Sequence, residues 1–355
     1  MVNERSLTRS EWKVLRELIT HQRDSDKKIA ESLGMAPSNF AVIKKRLIDK
    51  GVLQEVARVN MHRIPEAKVA AFVWIEYNQP VRDSLKEEFE ITRSSFPIAA
   101  TYAASDWSLN IDYFKSFEDA ENARLTLAEI LRQKAKPYIA NYMWHMVPMS
   151  HLVTCHLKSR FITYSMTGHS TYFDITNTEE GDDCEFPCDE ALPKLSDTEK
   201  KTLIAFRKYP NLKKSEIAKK VGIQQSSLSE VFKGLQRKGV INYIRTFDPA
   251  KLSGSEVATF AWMDLKQPIL GDEITKTIND FLNKTPQITR LSYTRTFMLA
   301  IGYFPSLDVA ENAHMRMLET FGENIKVFNF KIVPCKHVNV IYTPYVLEHL
   351  FSMKI

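Results

Sequence analysis

Several features that mark secreted or membrane proteins are scarce in this sequence. Its 355 residues include only four cysteines, too few for a disulfide scaffold in a chain of this size. No apolar run approaches the roughly 20 residues that a membrane span requires. The N-terminal segment MVNERSLTRSEWKVL is polar and charged, unlike a secretory signal. We therefore expect a cytoplasmic protein that does not contact a membrane.

The sequence motifs of several enzyme classes are also absent. The chain has no nucleophile elbow, P-loop, dinucleotide-binding fingerprint or H-E-x-x-H zinc motif. We therefore predict no catalytic residue, no metal site and no cofactor, and we expect that the protein is not an enzyme. The hydrophobic share of 44% is ordinary for a globular protein, and the length suggests several domains.

What the sequence does contain is a long internal repeat. Residues 34–51 read GMAPSNFAVIKKRLIDKG, and residues 222–239, found 188 positions later, read GIQQSSLSEVFKGLQRKG. VAAFVWIEYNQPV from Val69 aligns with VATFAWMDLKQPI from Val257 at the same offset. Further on, SFEDAENA matches SLDVAENA at an offset of 190. Matches that keep their order with small drifts in offset indicate the duplication of a whole unit.

The first part of each copy predicts three helices. Thr8 and Glu11 fit the capping box that opens a helix, and the apolar residues that follow recur at helical spacing. A second, short helix is expected to end at Gly34 and a third at Gly51. The next segment, VLQEVARVN, has strand character and is expected to form a wing hairpin. This order predicts a winged helix-turn-helix.

The second part of each copy has a different pattern. KVAAFVWIEY predicts a buried strand, and a helix is expected from Val81 to Ser95. Two strands, a second helix and a closing strand follow, and the order βαββαβ is that of a ferredoxin-like sandwich. The predicted fold class is α+β, with two winged helix-turn-helix domains alternating with two ferredoxin-like domains. The predicted boundaries are 1–63 and 194–251 for the helix-turn-helix domains, 64–160 and 252–355 for the sandwiches (the latter with a C-terminal extension), and 161–193 for a linker.

This combination resembles the Lrp/AsnC family of transcription regulators, which are common in archaea and bacteria. The resemblance is carried by SNFAVIKKRLIDKGVL (38–53) and SSLSEVFKGLQRKGVI (226–241), each followed by a sandwich. It implies a tandem, archaeal-type regulator that binds double-stranded DNA. It also implies sandwiches that pair within the chain, a homodimer and a possible small-molecule effector. The turn between the second and third strands departs from the family's glycine-bearing pattern, because it reads ASDWS and TRTFM in the two copies.

The charge distribution favours DNA binding independently of the resemblance. Residues 3–63 contain 13 Lys or Arg and 8 Asp or Glu, a net charge of +5, and residues 194–251 contain 14 and 5, a net charge of +9. The whole chain carries +5, so the remaining residues carry −9. Clustered cations that neutralise phosphates drive non-specific DNA affinity. The alternative interpretation is that these residues form ordinary solvated surfaces.

The third helix of each copy is the predicted DNA-reading helix. In helix-turn-helix proteins the N-terminal residues of this helix contact base edges. Asn and Gln pair with adenine, and Lys or Arg contacts phosphate or guanine. The predicted DNA-binding residues are Ser38, Asn39, Val42, Lys44, Lys45 and Arg46 in the first copy and Gln224, Gln225, Ser226, Ser227, Ser229, Lys233, Arg237 and Lys238 in the second. Because the two sets differ, an asymmetric DNA site is expected.

Two weaker patterns involve cysteine and histidine. Cys184 and Cys188, with His169 upstream, could bind zinc or act as a thiol switch, or they could be ordinary cysteines of an exposed linker. Cys335 and His337 end the last predicted strand, where the first copy also has a histidine, and either a shared site or a structural role fits.

Two other functions fit the same architecture. Siroheme decarboxylases use the helix-turn-helix and ferredoxin-like plan, sometimes as two fused halves. Their aromatic W-x-Y-N type stretch corresponds to DWSLNIDYF here, in which Asn110 comes two residues later than that pattern requires. A helix-turn-helix relic that serves as a protein-interaction scaffold is the third alternative, and it predicts no binding to any duplex.

Overall fold

The chain folds into two compact units, each assembled from three separate stretches. A computed structural model describes residues 7–22, 24–78, 96–135, 139–168, 174–176, 182–187, 191–209, 212–252, 254–343 and 345–354. Unit 1 comprises Met1–Val56, Val153–Phe186 and Ile244–Lys336. Unit 2 comprises Ala57–Leu152, Pro187–Tyr243 and His337–Ile355.

Unit 1 begins with the three helices of the first helix-turn-helix. The helices are α1 (Arg9–Thr20), α2 (Asp26–Ser32) and α3 (Pro37–Asp49). The capping box predicted at Thr8 and Glu11 is present, and Ser25 caps α2 by accepting a hydrogen bond from the Lys28 N–H. Leu15 and Leu18 are fully buried, as the helical spacing of the apolar residues requires.

The sheet of unit 1 has six strands in the order β12-β9-β11-β10-β6-β7. The strands are β6 (Val153–His156), β7 (Asp183–Glu185), β9 (Val257–Leu265), β10 (Ile288–Tyr293), β11 (Phe297–Phe304) and β12 (Ile325–Pro334). The helices of this region are α5 (Lys158–Thr167), α9 (Glu273–Lys284) and α10 (Leu307–Phe321). The four strands β12-β9-β11-β10 have the ferredoxin-like order, and β6 and β7 extend the sheet beyond β10.

The sheet of unit 2 has five strands in the order β13-β3-β4-β2-β5. The strands are β2 (Val69–Tyr77), β3 (Ile98–Ala104), β4 (Trp107–Phe114), β5 (Ile139–Pro148) and β13 (Asn339–Tyr342). The helices are α4 (Phe117–Ile130), with a π turn at Leu131–Ala135, the three helices of the second helix-turn-helix, α6 (Asp197–Lys208), α7 (Lys214–Val221) and α8 (Gln225–Arg237), and the C-terminal α11 (Val346–Phe351). The fold is α+β, with helix-turn-helix bundles and ferredoxin-like sandwiches, as the sequence predicts.

The helix between β2 and β3 that the sequence predicts at Val81 to Ser95 lies outside the described residues. Short 3-10 turns occur at Met61–Arg63, Pro249–Lys251, Gly322–Asn324 and Cys335–His337. Within the described part of the chain, no helix is both long and apolar enough to cross a lipid bilayer.

Each unit combines the helix-turn-helix of one repeat with the sandwich of the other. Unit 1 contains α1–α3 together with the sandwich of β9–β12, and unit 2 contains α6–α8 together with the sandwich of β2–β5. This exchange is not visible in the linear order of the repeats. The domain boundaries drawn from the sequence remain a prediction, because they divide the chain by order rather than by packing.

The segment after each sandwich adds a strand to the sheet of the other repeat. β6 pairs with β10, with Val153 opposite Tyr293, and β13 pairs with β3, with Asn339 opposite Ala103. The two pairings have the same register, since residues 103 and 293 are equivalent at the offset of 190. Each added strand satisfies the backbone groups of a sheet edge that would otherwise be open.

The predicted wing hairpin is wrong, because the strand that follows each reader helix pairs with its equivalent from the other repeat. β1 (Leu53–Val59) and β8 (Ile241–Phe247) form a two-stranded sheet with each other instead of each folding back within its own repeat. The division between the units falls inside both strands. In unit 1 the Asp248 N–H donates to the Val52 carbonyl at 3.2 Å, and in unit 2 the Asn60 N–H donates to the Val240 carbonyl at 2.9 Å.

The predicted linker region contributes ordered structure to unit 1. The Asp182 carboxylate accepts hydrogen bonds from the Ser159 and Arg160 N–H groups and so caps the start of α5. Ser159 also hydrogen bonds to Thr20 of α1 at 3.0 Å, which attaches the first reader bundle to this helix. Cys155 and Cys184, which are paired across β6 and β7, form a disulfide.

Unit 2 attaches its reader bundle through α6. The Arg207 guanidinium donates to the carbonyl oxygens of Ala99 on β3, at 2.8 Å, and of Thr343, at 3.3 Å. Lys208 pairs with Glu348 of α11 at 2.9 Å. These contacts connect the second reader to the sheet edge that carries β13.

The exchange leads to a prediction about the two halves of the chain. Residues 1–190 and 191–355, produced separately, should fail to unfold cooperatively, because each half lacks the added strand of its sandwich and the partner of its reader bundle. Produced together, they should purify as a 1:1 complex with one cooperative transition. Size-exclusion chromatography and thermal unfolding followed by circular dichroism check this. Two independently stable monomeric halves would contradict the exchange.

Candidate nucleic-acid interface

The first reader helix, α3, presents the predicted base-contacting residues to solvent. Pro37 starts the helix, at the position where its missing N–H costs nothing. Phe40 and Leu47 are buried and hold the helix against its bundle. The exposed predicted residues are Ser38, Asn39, Val42, Lys45 and Arg46.

The second reader helix, α8, has the same arrangement with different exposed side chains. Leu228, Phe232 and Leu235 are buried on the inner face. Gln224, Gln225, Ser226, Ser227, Lys233 and Arg237 are exposed, and Ser229 is half-buried. The Ser229 hydroxyl donates to the Gln225 carbonyl at 3.2 Å, inside the helix. The Lys233 ammonium pairs with Glu230 at 2.9 Å on the solvent side.

In both bundles a carboxylate of the first helix holds the end of the reader helix. The Glu11 carboxylate pairs with the Lys50 ammonium at 2.8 Å in unit 1, and the Glu199 carboxylate pairs with Lys238 at 2.6 Å in unit 2. Both glutamates also complete the capping box of their own helix. Lys238, predicted as a DNA contact, is therefore engaged within its bundle, and it also donates to the Lys194 carbonyl at 3.0 Å.

These ion pairs lower the pKa of both glutamates. Burial alone would raise the pKa of Glu11, but the hydrogen bond from Lys50, the N–H of Thr8 and the charge of Lys50 together outweigh it. The pKa of Glu199 is lowered in the same way, against burial, by Lys238 and Ser196. Both carboxylates are therefore ionised at neutral pH, and their charge stabilises the end of the reader helix.

Lys44 lies at an inner position of the first bundle. Its ammonium is 2.8 Å from both the Asp26 and the Glu55 carboxylates. Arg245 joins the same network, at 3.0 Å from Asp26 and 3.5 Å from Glu55. A phosphate contact by Lys44 would therefore require two ion pairs to break.

The equivalent positions of the second bundle hold an aromatic cluster. At the offset of 188, Asp26, Lys44 and Glu55 correspond to Lys214, Phe232 and Tyr243. The Phe232 and Tyr243 rings are 4.9 Å apart, and the Lys214 ammonium lies 5.6 Å from the Phe232 centroid and 5.9 Å from that of Tyr243. This is cation–π geometry in place of an ionic network.

Lys214 and Tyr243 are candidate DNA-facing residues that the sequence analysis missed. Lys214 is exposed and Tyr243 is 45% exposed, beside the reader helix. Tyr243 lies on the strand after the helix, and only the fold places that strand against α8. No signal in the linear sequence marked either residue.

The structure describes only part of the cysteine and histidine patterns. Within the described part of the chain, no three His, Cys, Asp or Glu side chains cluster as metal ligands. Cys184 bonds to Cys155, and Cys188 and His169 lie outside the described residues. Cys335 is buried, whereas the neighbouring His337 is exposed, so the two do not share one environment.

A solved structure resembles this chain along its whole length. The siroheme decarboxylase NirDL has a TM-score of 0.51 and 11% sequence identity, over 96% of this chain and 98% of that chain. NirDL in complex with an iron-uroporphyrin III analogue gives the same TM-score and identity. Identity this low shows a shared fold and no more.

Single-repeat regulators match smaller parts of the chain. AsnC of E. coli matches 40% of this chain and 93% of its own, with 17% identity and a TM-score of 0.31. LrpC of B. subtilis also matches 40% of this chain, with 16% identity and a TM-score of 0.29. No protein-family model matches the sequence, and no curated protein matches it.

The lowered pKa of Glu11 predicts how the stability of unit 1 depends on pH. A carboxylate whose pKa is lowered by folding stabilises the folded state fully at pH values above its ordinary pKa, near 4.5. This contribution is lost as the pH falls through the lowered pKa of the folded state. Glu11→Gln should therefore lower the free energy of unfolding by about 1.5–3 kcal/mol at neutral pH. The difference from the unaltered protein should shrink in acid. Urea unfolding at several pH values measures it.

Glu230→Gln is the matched control for this measurement. The hydrogen bond from Lys233 lowers the pKa of Glu230 too, but solvent screens this exposed pair, so the substitution should change the pH profile of stability much less than Glu11→Gln does. An equal effect of the two substitutions would show that burial of the Glu11 ion pair is not the cause.

Proposed function

We propose that this protein is a sequence-specific DNA-binding transcription regulator with two reader helices on one chain. The observation that carries the proposal is the outer face of α3 and of α8. In both, the large apolar side chains that pack on the bundle are buried, and hydrogen-bonding and cationic side chains are exposed; on α3 the apolar Val42 and Ile48 are exposed beside them. This is the distribution that a helix entering a major groove requires.

The proposed contacts divide into base-reading and phosphate-binding groups. Asn39 and Gln225 have amide groups suited to adenine, and Ser38 and Ser226 are small donors and acceptors near them. The exposed cations of the two reader helices would contact phosphate or guanine. They are Lys45 and Arg46 of α3 and Lys233 and Arg237 of α8. Lys44 and Lys238 would act mainly within their bundles, because their ammonium groups are already paired.

The two readers would contribute differently to binding. The second reader segment has a net charge of +9 against +5 for the first, and it adds the exposed Lys214 and Tyr243. We therefore infer that the second reader supplies more of the non-specific affinity. A tandem origin within an Lrp/AsnC-like lineage, a homodimer of chains and an effector are further parts of this proposal.

The phosphate contacts are tested by salt dependence. Replacing Lys45 and Arg46 together by Ala should weaken binding to every duplex, because both charges reach solvent. The slope of log K against log salt concentration should become shallower by about 2, since each phosphate that is no longer neutralised lowers the slope by about 0.9. Fluorescence anisotropy with a labelled duplex at several salt concentrations measures both quantities.

Two substitutions provide controls for this experiment. Lys284→Ala removes an exposed lysine of α9, outside both bundles, and should leave the slope unchanged. Lys44→Ala should change the slope less than the double substitution, because Lys44 is engaged with Asp26 and Glu55. If the unaltered protein binds no duplex even at low salt, the regulator proposal fails as a whole.

A second candidate function is decarboxylation of siroheme. The observation that favours it is the NirDL match, which covers both repeats of this chain, whereas each regulator match covers about 40%. If our first proposal is correct, siroheme incubated anaerobically with the purified protein should keep its mass. A product lighter by carbon dioxide, measured by mass spectrometry and absent with heat-treated protein, would replace the regulator proposal.

A further inference from the structure

A buried carboxyl group lies on the helix-covered face of the sandwich in unit 2. Asp112 of β4 is opposite Ala71 of β2 and only 2% exposed, and its Oδ1 has no hydrogen-bond partner in the described part of the chain. Ala71 packs in one core cluster with Ala120 of α4, and Ala123 borders that cluster. Among the residues that the structure describes, a buried carboxyl oxygen thus lies beside an apolar cluster without a hydrogen-bond partner.

Two more unsatisfied polar atoms come from β5 on the same face. The Tyr142 hydroxyl and the Trp144 indole Nε1 are buried, and no described residue hydrogen bonds to either of them. Strand register places Trp144 opposite Val73 and Tyr142 opposite Ile75, and these strand residues share the face of Ala71. Buried polar groups are rarely left unpaired, so three on one face require an explanation.

The equivalent face of the other sandwich does not have this polar set. Asp112 corresponds to Gly302 of β11, which is opposite Thr259 in the same register. Tyr142 and Trp144 correspond to Phe328 and Phe330 of β12, because these are opposite Met263 and Ala261, the equivalents of Ile75 and Val73 at the offset of 188. A Cβ atom at Gly302 would be 2.6 Å from the Phe304 ring, so that ring fills the space which Asp112 occupies in unit 2.

The helix above each face differs in the same way. Arg124 of α4, which is held by Glu121 at 2.8 and 2.5 Å, corresponds to His314 of α10. His314 stacks on Phe330, with ring centroids 4.5 Å apart. The unit 1 face is therefore an aromatic core, and the unit 2 face combines a carboxyl, a phenol, an indole and a nearby guanidinium.

The protonation of Asp112 determines which ligand this set suits. Burial raises the pKa of Asp112 to about 8, so the carboxyl keeps its proton at neutral pH and can donate. Burial also raises the pKa of Tyr142; the charge of Arg124 opposes this, and that of Asp112 adds to it, so both groups act on the phenol. Three neutral donors on one face suit an anion with several acceptor atoms.

We propose that the three polar groups of this face bind one small organic carboxylate per chain, whose oxygens accept hydrogen bonds from the Asp112 carboxyl, the Tyr142 hydroxyl and the Trp144 indole N–H. The sandwich of unit 1 has no such site, because the equivalent side chains donate no hydrogen bond there. The site does not depend on DNA binding, and it is measured on the protein alone.

The indole N–H provides a direct measurement. The chain has five tryptophans, and Trp144→Phe identifies the signal of Trp144 in a 15N-indole NMR spectrum. Sodium acetate, compared with sodium chloride at equal ionic strength, should shift this signal downfield and saturate with a stoichiometry of one. Tyr142→Phe keeps the ring and removes one donor, so it should weaken acetate binding about tenfold.

Phe328→Tyr is the matched control, because it adds a hydroxyl at the equivalent position of the other sandwich. It should leave acetate binding unchanged. Circular dichroism of each variant separates loss of the site from loss of the fold. The proposal is overturned if acetate produces no saturable shift beyond that of chloride, if two sites per chain are found, or if a folded Tyr142→Phe variant binds as tightly as the unaltered protein.

Discussion

The rest of the structure depends on the backbone hydrogen bonds of the two added strands, β6 and β13. β6 joins β10 and β13 joins β3 in the same register, and in each case the added strand follows the sandwich of the other repeat. Each sheet edge is thereby closed by a segment that belongs, in sequence, to the other half. The helices next to these strands then attach the reader bundles, through Ser159 and Thr20 in unit 1 and through α11 in unit 2. A reader in this chain is therefore supported by the sandwich of the other repeat, and the functional unit is composite.

Within this shared framework, some positions keep their chemistry and others diverge. The ion pair between the first helix and the end of the reader helix occurs twice, because in both bundles it secures the same helix end. The inner side of the reader helix is ionic around Lys44 in one bundle and aromatic around Phe232 in the other. The position of the buried Asp112 in one sandwich is occupied by Gly302 in the other, where the Phe304 ring fills the space of the side chain. The side chains that fix the end of the reader helix are the same in both bundles. The side chains around Lys44 and Asp112 differ from their equivalents in the other repeat.

Local features of this fold could be predicted from the sequence, and long-range pairings could not. The capping boxes at Thr8 and Ser196, the strand order of the sandwiches and the outward position of Asn39 and Gln225 follow from spacing and side-chain chemistry over a few residues. The exchange of halves, the pairing of β1 with β8 and the inner position of Lys44 depend on which strand meets which across about 190 residues. Because the two repeats present nearly the same pattern, pairing within a copy and pairing between copies fit the sequence equally well. Asp112 was missed for a related reason, since only the packing of α4 on the sheet shows that this carboxyl is buried.

The position of Asp112 indicates which reader helix the proposed ligand would affect. Asp112 is opposite Ile98 on β3, and the next residue, Ala99, accepts the hydrogen bond from Arg207 of α6. Asp112 is thus one strand away from the hydrogen bond between Arg207 and Ala99 that attaches the second helix-turn-helix bundle, and both lie in unit 2. The same strand carries β13, whose pairing closes the sheet edge. A bound ligand that changes the packing of β4 against β3 would therefore act first on the support of α8, the proposed reader in the more cationic segment. With two unequal readers, as proposed, a single ligand site in one sandwich would provide an asymmetric means of adjusting their balance.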